Sequence, residues 1–252
     1  YYTGGTAMKP VTPDDGENAY RGQYWEGAVS IPGYGFSSLG SLNMHPRGYE
    51  SGDCQHMTIR YGFKTTGLRS SNPVYSEWLW DNVLLGFQTE CLLRPNPYNL
   101  AEFRPWLAED FEVGTYMHPV YGTCTKIRFT LSSHATWHDG TPITVADIYF
   151  TFVELDDILR ARGLPPPWWI SNVANILSFS ILDTYNFEVL LDVKSVFAVG
   201  WIVGNVILPK HIFKPLALGE RPGVDSDFPD PNLILSGAYR WGEYLADSHV
   251  LM

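Results

Sequence analysis

Trp137-His138-Asp139-Gly140-Thr141-Pro142-Ile143-Thr144-Val145-Ala146-Asp147-Ile148 is the stretch that decides the fold. Its first half is turn chemistry. Asp139-Gly140 favours a tight reversal, because Asp bonds its own backbone two residues on and Gly tolerates positive φ. Its second half opens a helix, with Thr144 in the N-cap position and Asp147 three residues later completing a capping-box pattern. Beyond it, Ile148, Phe152, Leu155 and Leu159 recur at helical spacing and predict a single buried stripe. Gly163 ends that helix, and Pro165-Pro166-Pro167 forbids its continuation. Before it, Thr125 to Leu131 alternates, with Ile127, Phe129 and Leu131 facing one way and Lys126, Arg128 and Thr130 the other. The unit is therefore strand, turn, helix.

Working outward, Tyr185 to Val193 alternates again, placing Phe187, Val189, Leu191 and Val193 on one side of a strand. Ala238 to Tyr244 reads as a last strand. Upstream, Ser71-Asn72-Pro73 makes a turn, and Trp78, Val83 or Leu84, and Phe87 predict a helix within 74–90. The stretch 94–99 carries two prolines and reads as a connection; 103–113 reads as a short turn or helix followed by a strand. Thr58 to Phe63 alternates as a strand. Residues 1–57, rich in Gly, Pro, Tyr and Ser, predict long ordered loops with short strands or helices. They are an N-terminal extension or the tail of an upstream segment. Strands and helices that mix without regular alternation define a mixed α/β (α+β) class.

A chain of 252 residues can bury a sizeable core. Its net charge of −10, with 27 acidic against 17 basic residues, excludes a nucleic-acid partner, which needs clustered cations to neutralise phosphates. Cys54, Cys91 and Cys124 form no metal motif and no CxxC pair, leaving open one disulfide plus a thiol or three thiols. The apolar run Val196 to Leu208 is broken by Gly200, Gly204 and Asn205 and falls short of the roughly 20 residues that span a bilayer. A buried helix or strand–helix pair is expected there. The chain opens on Tyr1-Tyr2 rather than Met, as expected of a processed, trimmed or partial product.

His134, His138 and Asp139 invite a metal reading, but a zinc site needs three or four converging ligands and the spacing supplies no third His or Cys. No metal and no cofactor is expected. Nor is an enzyme: GxSxG, HExxH, GxGxxG and phosphate-loop patterns are absent. Asp156-Asp157 reads as a solvated helix face. Trp168-Trp169, after three prolines, is either an aromatic platform for a ligand or a plug that fixes a rigid loop, and both readings stand.

Leu107-Ala108-Glu109-Asp110-Phe111, the strand Ile127-Arg128-Phe129-Thr130-Leu131, and the Trp137–Ile148 stretch together resemble, in order and spacing, the family 5 extracellular solute-binding proteins, the oligopeptide, dipeptide and nickel binders of ABC importers. Asp183-Thr184-Tyr185, Leu208-Pro209-Lys210-His211-Ile212 and Ser236-Gly237-Ala238-Tyr239-Arg240 follow in the family's order. Upstream, Ser71-Asn72-Pro73 and Leu84-Leu85-Gly86-Phe87 agree, so the resemblance covers about residues 58–250. It departs where family members read Gly-Thr-Gly-Pro-Tyr and this chain has Leu235-Ser236-Gly237-Ala238-Tyr239.

The resemblance implies a periplasmic-binding-protein-like class II lobe over 58–252, incomplete, ending near the crossover to another lobe that lies in a missing segment or a second chain. It implies extracytoplasmic binding of a small peptide or oligosaccharide by cleft closure and delivery to an ABC permease, at an extracellular, periplasmic or membrane-associated surface. Thr65, Thr66, Gly67, Leu68 and Arg69 correspond to the family loop that lines the cleft, where backbone groups pair with an extended peptide and Arg69 with a carboxylate. Trp168 and Trp169 are the aromatic candidates. Trp137, His138, Asp139, Gly140, Thr141 and Pro142 are a structural motif. The rival reading is a self-assembling surface or filament subunit on the same scaffold, and a homo-oligomeric state stays open.

Overall fold

The computed structural model describes residues 68–96, 99–227, 233–245 and 249–251, together with five strand segments before residue 62. The chain divides into two units, Tyr1–Thr66 and Gly67–Met252. In the first, β1 (Tyr24–Glu26), β4 (Ser41–Pro46) and β5 (Met57–Tyr61) form an antiparallel sheet in the order β1-β4-β5, and β2 (Val29–Ile31) pairs with β3 (Gly35–Ser37). The strand expected from Thr58 is thus β5, and it pairs with β4.

The larger unit is built on a four-stranded antiparallel sheet. Its strands are β8 (Ala108–His118), β9 (Gly122–Leu131), β10 (Ile176–Ile181) and β11 (Asn186–Leu191), in the order β10-β11-β9-β8. The alternation in β9 and β11 falls as the sequence predicts: Ile127, Phe129, Leu131, Phe187, Val189 and Leu191 are buried while Arg128 is exposed. Aromatic stacking ties three strands together, with Phe187 ring centroids 4.9 Å from Phe129 and 5.0 Å from Phe179. On the outer face Glu188 pairs with Lys126 at 2.9 Å and Arg128 at 3.2 Å across the β11–β9 ladder.

One long helix covers the buried face, and it is not uniform. It runs as α2 (Val145–Tyr149), a π-helical turn (Phe150–Glu154), and α3 (Leu155–Ala161). The four residues of the predicted stripe are all buried, but they do not share a core. Ile148 and Phe152 pack against the sheet with Trp137, Ile143 and Val199. Leu155 and Leu159 join Phe150, Trp169, Phe213 and Leu216 in a second core on the other side. The wide turn inserts one residue into the helical repeat and rotates the stripe, so one helix serves two cores. Two more helices complete the layers: α4 (Val196–Val203), inside the predicted apolar run, and α5 (Lys210–Leu218). Among the described residues no helix is long and apolar enough to cross a membrane.

Two expectations fail, the connection at 94–99 and the strand from Ala238, and two are narrowed. The stretch 94–99 is not a plain connection: β6 (Leu93–Asn96) and β7 (Asn99–Pro105) form a hairpin, irregular at Pro95/Asn96. A two-stranded ribbon tolerates proline, because an N–H lost from an outer edge costs no ladder bond. Over 103–113 the turn alternative holds, not the helix: β7 ends at Pro105, the chain bends at Trp106-Leu107, and β8 follows. The helix expected within 74–90 is α1 (Leu79–Gln88) alone, because buried Asn72 commits the residues before it to a turn. Its Oδ1 accepts the Val74 N–H at 2.9 Å, and its amide donates to the carbonyls of Val224 (2.9 Å) and Ser226 (2.7 Å). The last strands are β12 (Glu243–Leu245) and β13 (His249–Leu251), paired with each other and starting five residues later than Ala238.

One buried carboxylate joins the layers. Asp147 Oδ2 accepts the N–H of Thr144 at 2.9 Å, within the predicted capping box, and Oδ1 accepts the N–H of Lys210, the first residue of α5, at 2.9 Å. Thr151, in the wide turn, donates to the Asp147 carbonyl (2.8 Å) and accepts the Leu208 N–H (3.0 Å). Replacing Asp147 by Ala strips the acceptor from both helix starts. The expected loss is about 2–4 kcal/mol of unfolding free energy in urea, with a smaller loss for Asp147→Asn, which keeps one acceptor. Wild-type stability in Asp147→Ala would mean that packing alone sets the junction.

Candidate functional site

The Trp137–Pro142 motif folds into a closed turn. The Trp137 N–H donates to the Thr141 carbonyl at 2.8 Å, and the Gly140 N–H to the Trp137 carbonyl at 2.9 Å. Gly140 takes φ +87°, a left-handed conformation that a side chain would strain. Asp139 Oδ1 accepts the Thr141 N–H at 2.9 Å and completes the reversal. Trp137, 1% exposed, buries its indole in the sheet core.

The two polar side chains of the turn reach opposite ways. Asp139 Oδ2 meets His211 Nε2 of α5 at 2.7 Å. Burial pushes the Asp139 carboxyl up, but the bonds from Thr141 and His211 outweigh it and hold the group below the usual carboxylate range. His138 binds the segment 235–237: its N–H donates to the Leu235 carbonyl (2.8 Å), its Nδ1 accepts the Leu235 N–H (3.3 Å), and its Nε2 lies 2.8 Å from the Gly237 carbonyl. Arg240 donates to the His138 carbonyl.

Gly237 sits between this imidazole and the end of α1. Its N–H donates to the Gln88 carbonyl at 2.7 Å, and a Cβ there would come within 2.5 Å of the Gln88 carbonyl carbon and 2.6 Å of the Phe87 oxygen. The glycine in Ser236-Gly237-Ala238 is therefore a packing requirement, whatever the departure from the family pattern around it.

Of the expected ligand-facing loop, Thr65, Thr66 and Gly67 lie outside the described residues, and Leu68 is half-buried. Arg69 is exposed and laid over the Trp78 indole, 3.7 Å from the ring centroid. The loop is pinned below it: the N–H groups of Arg69 and Ser70 both donate to the Asp81 carboxylate at 3.0 Å, in the first turn of α1. Burial holds Asp81 above the usual range despite those two donors. The tryptophan pair splits. Trp169 is 1% exposed and donates its indole N–H to the Pro73 carbonyl at 3.0 Å, while Trp168 is 46% exposed. Sequence reasoning missed Trp78 as the bed for Arg69, and His211 and Arg240 as partners of the turn. His211 and Arg240 were in view as pieces of the family pattern but carried no signal of role, because their partners lie 72 and 102 residues away. Among the described residues no group of three or more His, Cys, Asp or Glu side chains could hold a metal ion.

The antiparallel sheet under a two-core helical layer makes a mixed α/β lobe whose fold matches part of solved periplasmic binding proteins. Residues 102–252, more than half of the chain, match the bacterial extracellular solute-binding proteins, family 5 Middle, and the chain belongs to that family. A candidate binding protein of Brucella melitensis is 48% identical over 40 residues, which make up 16% of this chain and 6% of that protein. The PBP AgaA of A. tumefaciens R10, in complex with agropinic acid, superposes with a TM-score of 0.54 at 18% identity over 72% of this chain and 32% of its own. The periplasmic oligopeptide-binding protein of Thermotoga maritima with mannohexaose bound gives 0.51 at 22% identity, over 72% of this chain and 30% of its own. These two likenesses are of fold, and the chain spans about a third of those solved proteins.

Two outcomes follow from the turn. Gly237→Ala should lose roughly 3 kcal/mol in urea unfolding, since the added methyl meets backbone that cannot move aside cheaply; a neutral substitution would show that the segment shifts without cost. For Asp139 the sign follows from its lowered folded-state position. Its contribution is present above the unfolded-chain carboxyl value of about 3.9 and is lost as pH falls through the lower folded value. Asp139→Asn should therefore be less stable than wild type at neutral pH, and the gap should close on acidification. A gap that stays constant down to the lowest pH would refute the assignment.

Proposed function

We propose that this chain forms one wall of the cleft of an extracytoplasmic solute-binding protein, which traps a small peptide or similar solute by closure between lobes and presents it to an ABC permease without chemistry. The membership of residues 102–252 in the family 5 solute-binding proteins supports this most directly. In this reading Thr65, Thr66, Gly67 and Leu68 offer backbone groups to an extended ligand, as an added strand would use them. Arg69 faces solvent with its guanidinium flattened on Trp78, so little side-chain freedom is lost when it pairs with a carboxylate. Trp168 supplies an aromatic face, and Trp169 fixes it from within the core. The two solved relatives carry an opine-type acid and an oligosaccharide, so a sugar remains the alternative solute class. The site of action is extracellular or periplasmic.

Native mass spectrometry of protein purified gently from its source tests this. The expected spectrum shows a longer parent chain or a second polypeptide carrying a heterogeneous small adduct of peptide or sugar mass. Arg69→Ala should hold a carboxylate-bearing adduct about tenfold more weakly. A ligand-free ladder of identical subunits would overturn the proposal in favour of a self-assembling surface subunit.

A further inference from the structure

The four-stranded sheet has two edges, β10 and β8, and they are finished differently. β10 is six residues long, and a register shift between Ile176 and Ser178 spoils it as a template for another strand. β8 is 11 residues long, and past a shift at Ala108/Asp110 its register with β9 runs unbroken from Asp110 to His118. It carries neither Lys nor Pro, the residues that usually guard an edge. Among the described strands, β9 alone pairs with it.

The ladder fixes which groups of β8 point outward. Thr125 and Leu131 donate their N–H groups away from β8, to the Val193 and Tyr185 carbonyls. Odd-numbered residues of β9 therefore bond toward β11, and even-numbered ones toward Asp110, Glu112, Gly114 and Tyr116 of β8. The backbone groups of Phe111, Val113, Thr115 and Met117 face out from the edge. The Phe111 N–H is covered only by the neighbouring Asp110 Oδ1, at 2.9 Å. Val113 and Met117, on the face that elsewhere meets the core, are 49% and 73% exposed.

Gly114 stands at the middle of the unbroken stretch. Glycine weakens a strand interior, where it adds entropy to the unfolded chain and packs nothing. Here its φ is not positive, the register does not shift, and an added Cβ would meet no atom within 4 Å. Nothing inside the chain calls for a glycine at this point. A second backbone passing close by does.

We propose that β8 pairs antiparallel with β8 of a second copy, about a two-fold axis at Gly114, and so joins two four-stranded sheets into one. The axis sets Gly114 against itself as a non-hydrogen-bonded pair, the closer kind, with Cα atoms about 4.5 Å apart. The outward groups of Phe111 and Val113 then meet those of Met117 and Thr115 on the second copy. The same register matches the side chains. Phe111 lies against the Met117 thioether, and Glu112 against Tyr116, so no two carboxylates are opposed. Asp110 lies against His118, whose Nδ1 accepts the Val120 and Tyr121 N–H groups at 3.2 Å each and leaves an Nε2–H for that carboxylate. Asp110 gives up the Phe111 N–H as it enters the new ladder. One partner uses up the whole edge, so the assembly closes at two. The pairing is independent of which solute the protein binds.

Sedimentation velocity on the full chain, from about 1 to about 100 µM, should show a monomer passing to a dimer. Gly114→Val puts a strand-favouring side chain into space that is empty in a single copy and occupied across the axis. Its dimer dissociation constant should rise at least about tenfold, while the urea stability of the dilute chain holds or increases. The register is read by mixing Val113→Cys chains with Thr115→Cys chains under oxidation, with wild type as the control. Mixed disulfide dimers should form, and neither variant should cross-link alone, because position 113 faces 115. A wild type monomeric at the highest concentration, a dimer unchanged by Gly114→Val, or an open ladder of subunits overturns the pairing. Should Gly114→Val not fold, the mixed cross-link decides: its formation supports the pairing and its absence overturns it.

Discussion

The Asp147 carboxylate sets the spacing of the two helical layers, and much of the larger unit depends on it. Each oxygen takes the first free N–H of a different helix, Thr144 for α2 and Lys210 for α5. The opening N–H groups of a helix have no partner inside it, so a carboxylate placed there satisfies donors that burial would leave costly. From that origin α5 is fastened along its length. Glu154 receives Lys210 at 3.3 Å and Lys214 at 2.9 Å, and the Arg162 guanidinium donates to the Leu216 and Ala217 carbonyls at the far end. Burial pushes Glu154 up, but the bonds from Lys214 and Lys210 outweigh it and hold the carboxyl down. Start, middle and end of α5 are thereby registered against a single partner helix.

The wide turn at Phe150–Glu154 becomes intelligible on that basis. A regular helix from Thr144 to Ala161 would carry Ile148, Phe152, Leu155 and Leu159 on one side and take Leu155 and Leu159 away from the second core. Inserting one residue swings Leu155 and Leu159 toward Phe213 and Leu216 while Ile148 and Phe152 stay on the sheet. The inserted residue loosens the regular backbone ladder, and Thr151 makes use of the space. Its hydroxyl sits 0% exposed, bonded on both sides, and anchors the Leu208 backbone just ahead of α5. Asp147 and Thr151, one turn apart, thus hold the same stretch of chain.

What was legible in the sequence follows from the range of each interaction. The strands β9 and β11, the turn and the capping box all depend on neighbours within a few residues, and periodicity and turn chemistry report those directly. The rotation of the stripe was not legible, because a π turn has no residue signature and is chosen by the cores it serves. The β6–β7 hairpin was missed because two prolines argue against a strand in general but not against a free edge. At the candidate site the turn residues could be read, but not what they hold. His138 reaches Gly237 across 99 residues, and Gly237 looks like any turn glycine until α1 is laid against it.

The tryptophans show why the binding surface is harder to read than the scaffold. Trp168 and Trp169 are chemically identical neighbours, yet one is nearly half exposed and the other closes a core. The difference lies in the Pro73 carbonyl, which offers the buried indole N–H an acceptor and so removes the main penalty of burying it. Trp78 is used differently again, as a flat bed that fixes the direction of Arg69. Phe197 and Trp201, one turn apart on the wholly apolar α4, remain 74% and 54% exposed. An aromatic count therefore measures only the supply of large flat groups. For Trp169 and Trp78 the role goes with a backbone acceptor and a cation that the fold brings to them, whereas Trp137 is buried in the core with its indole N–H unpaired.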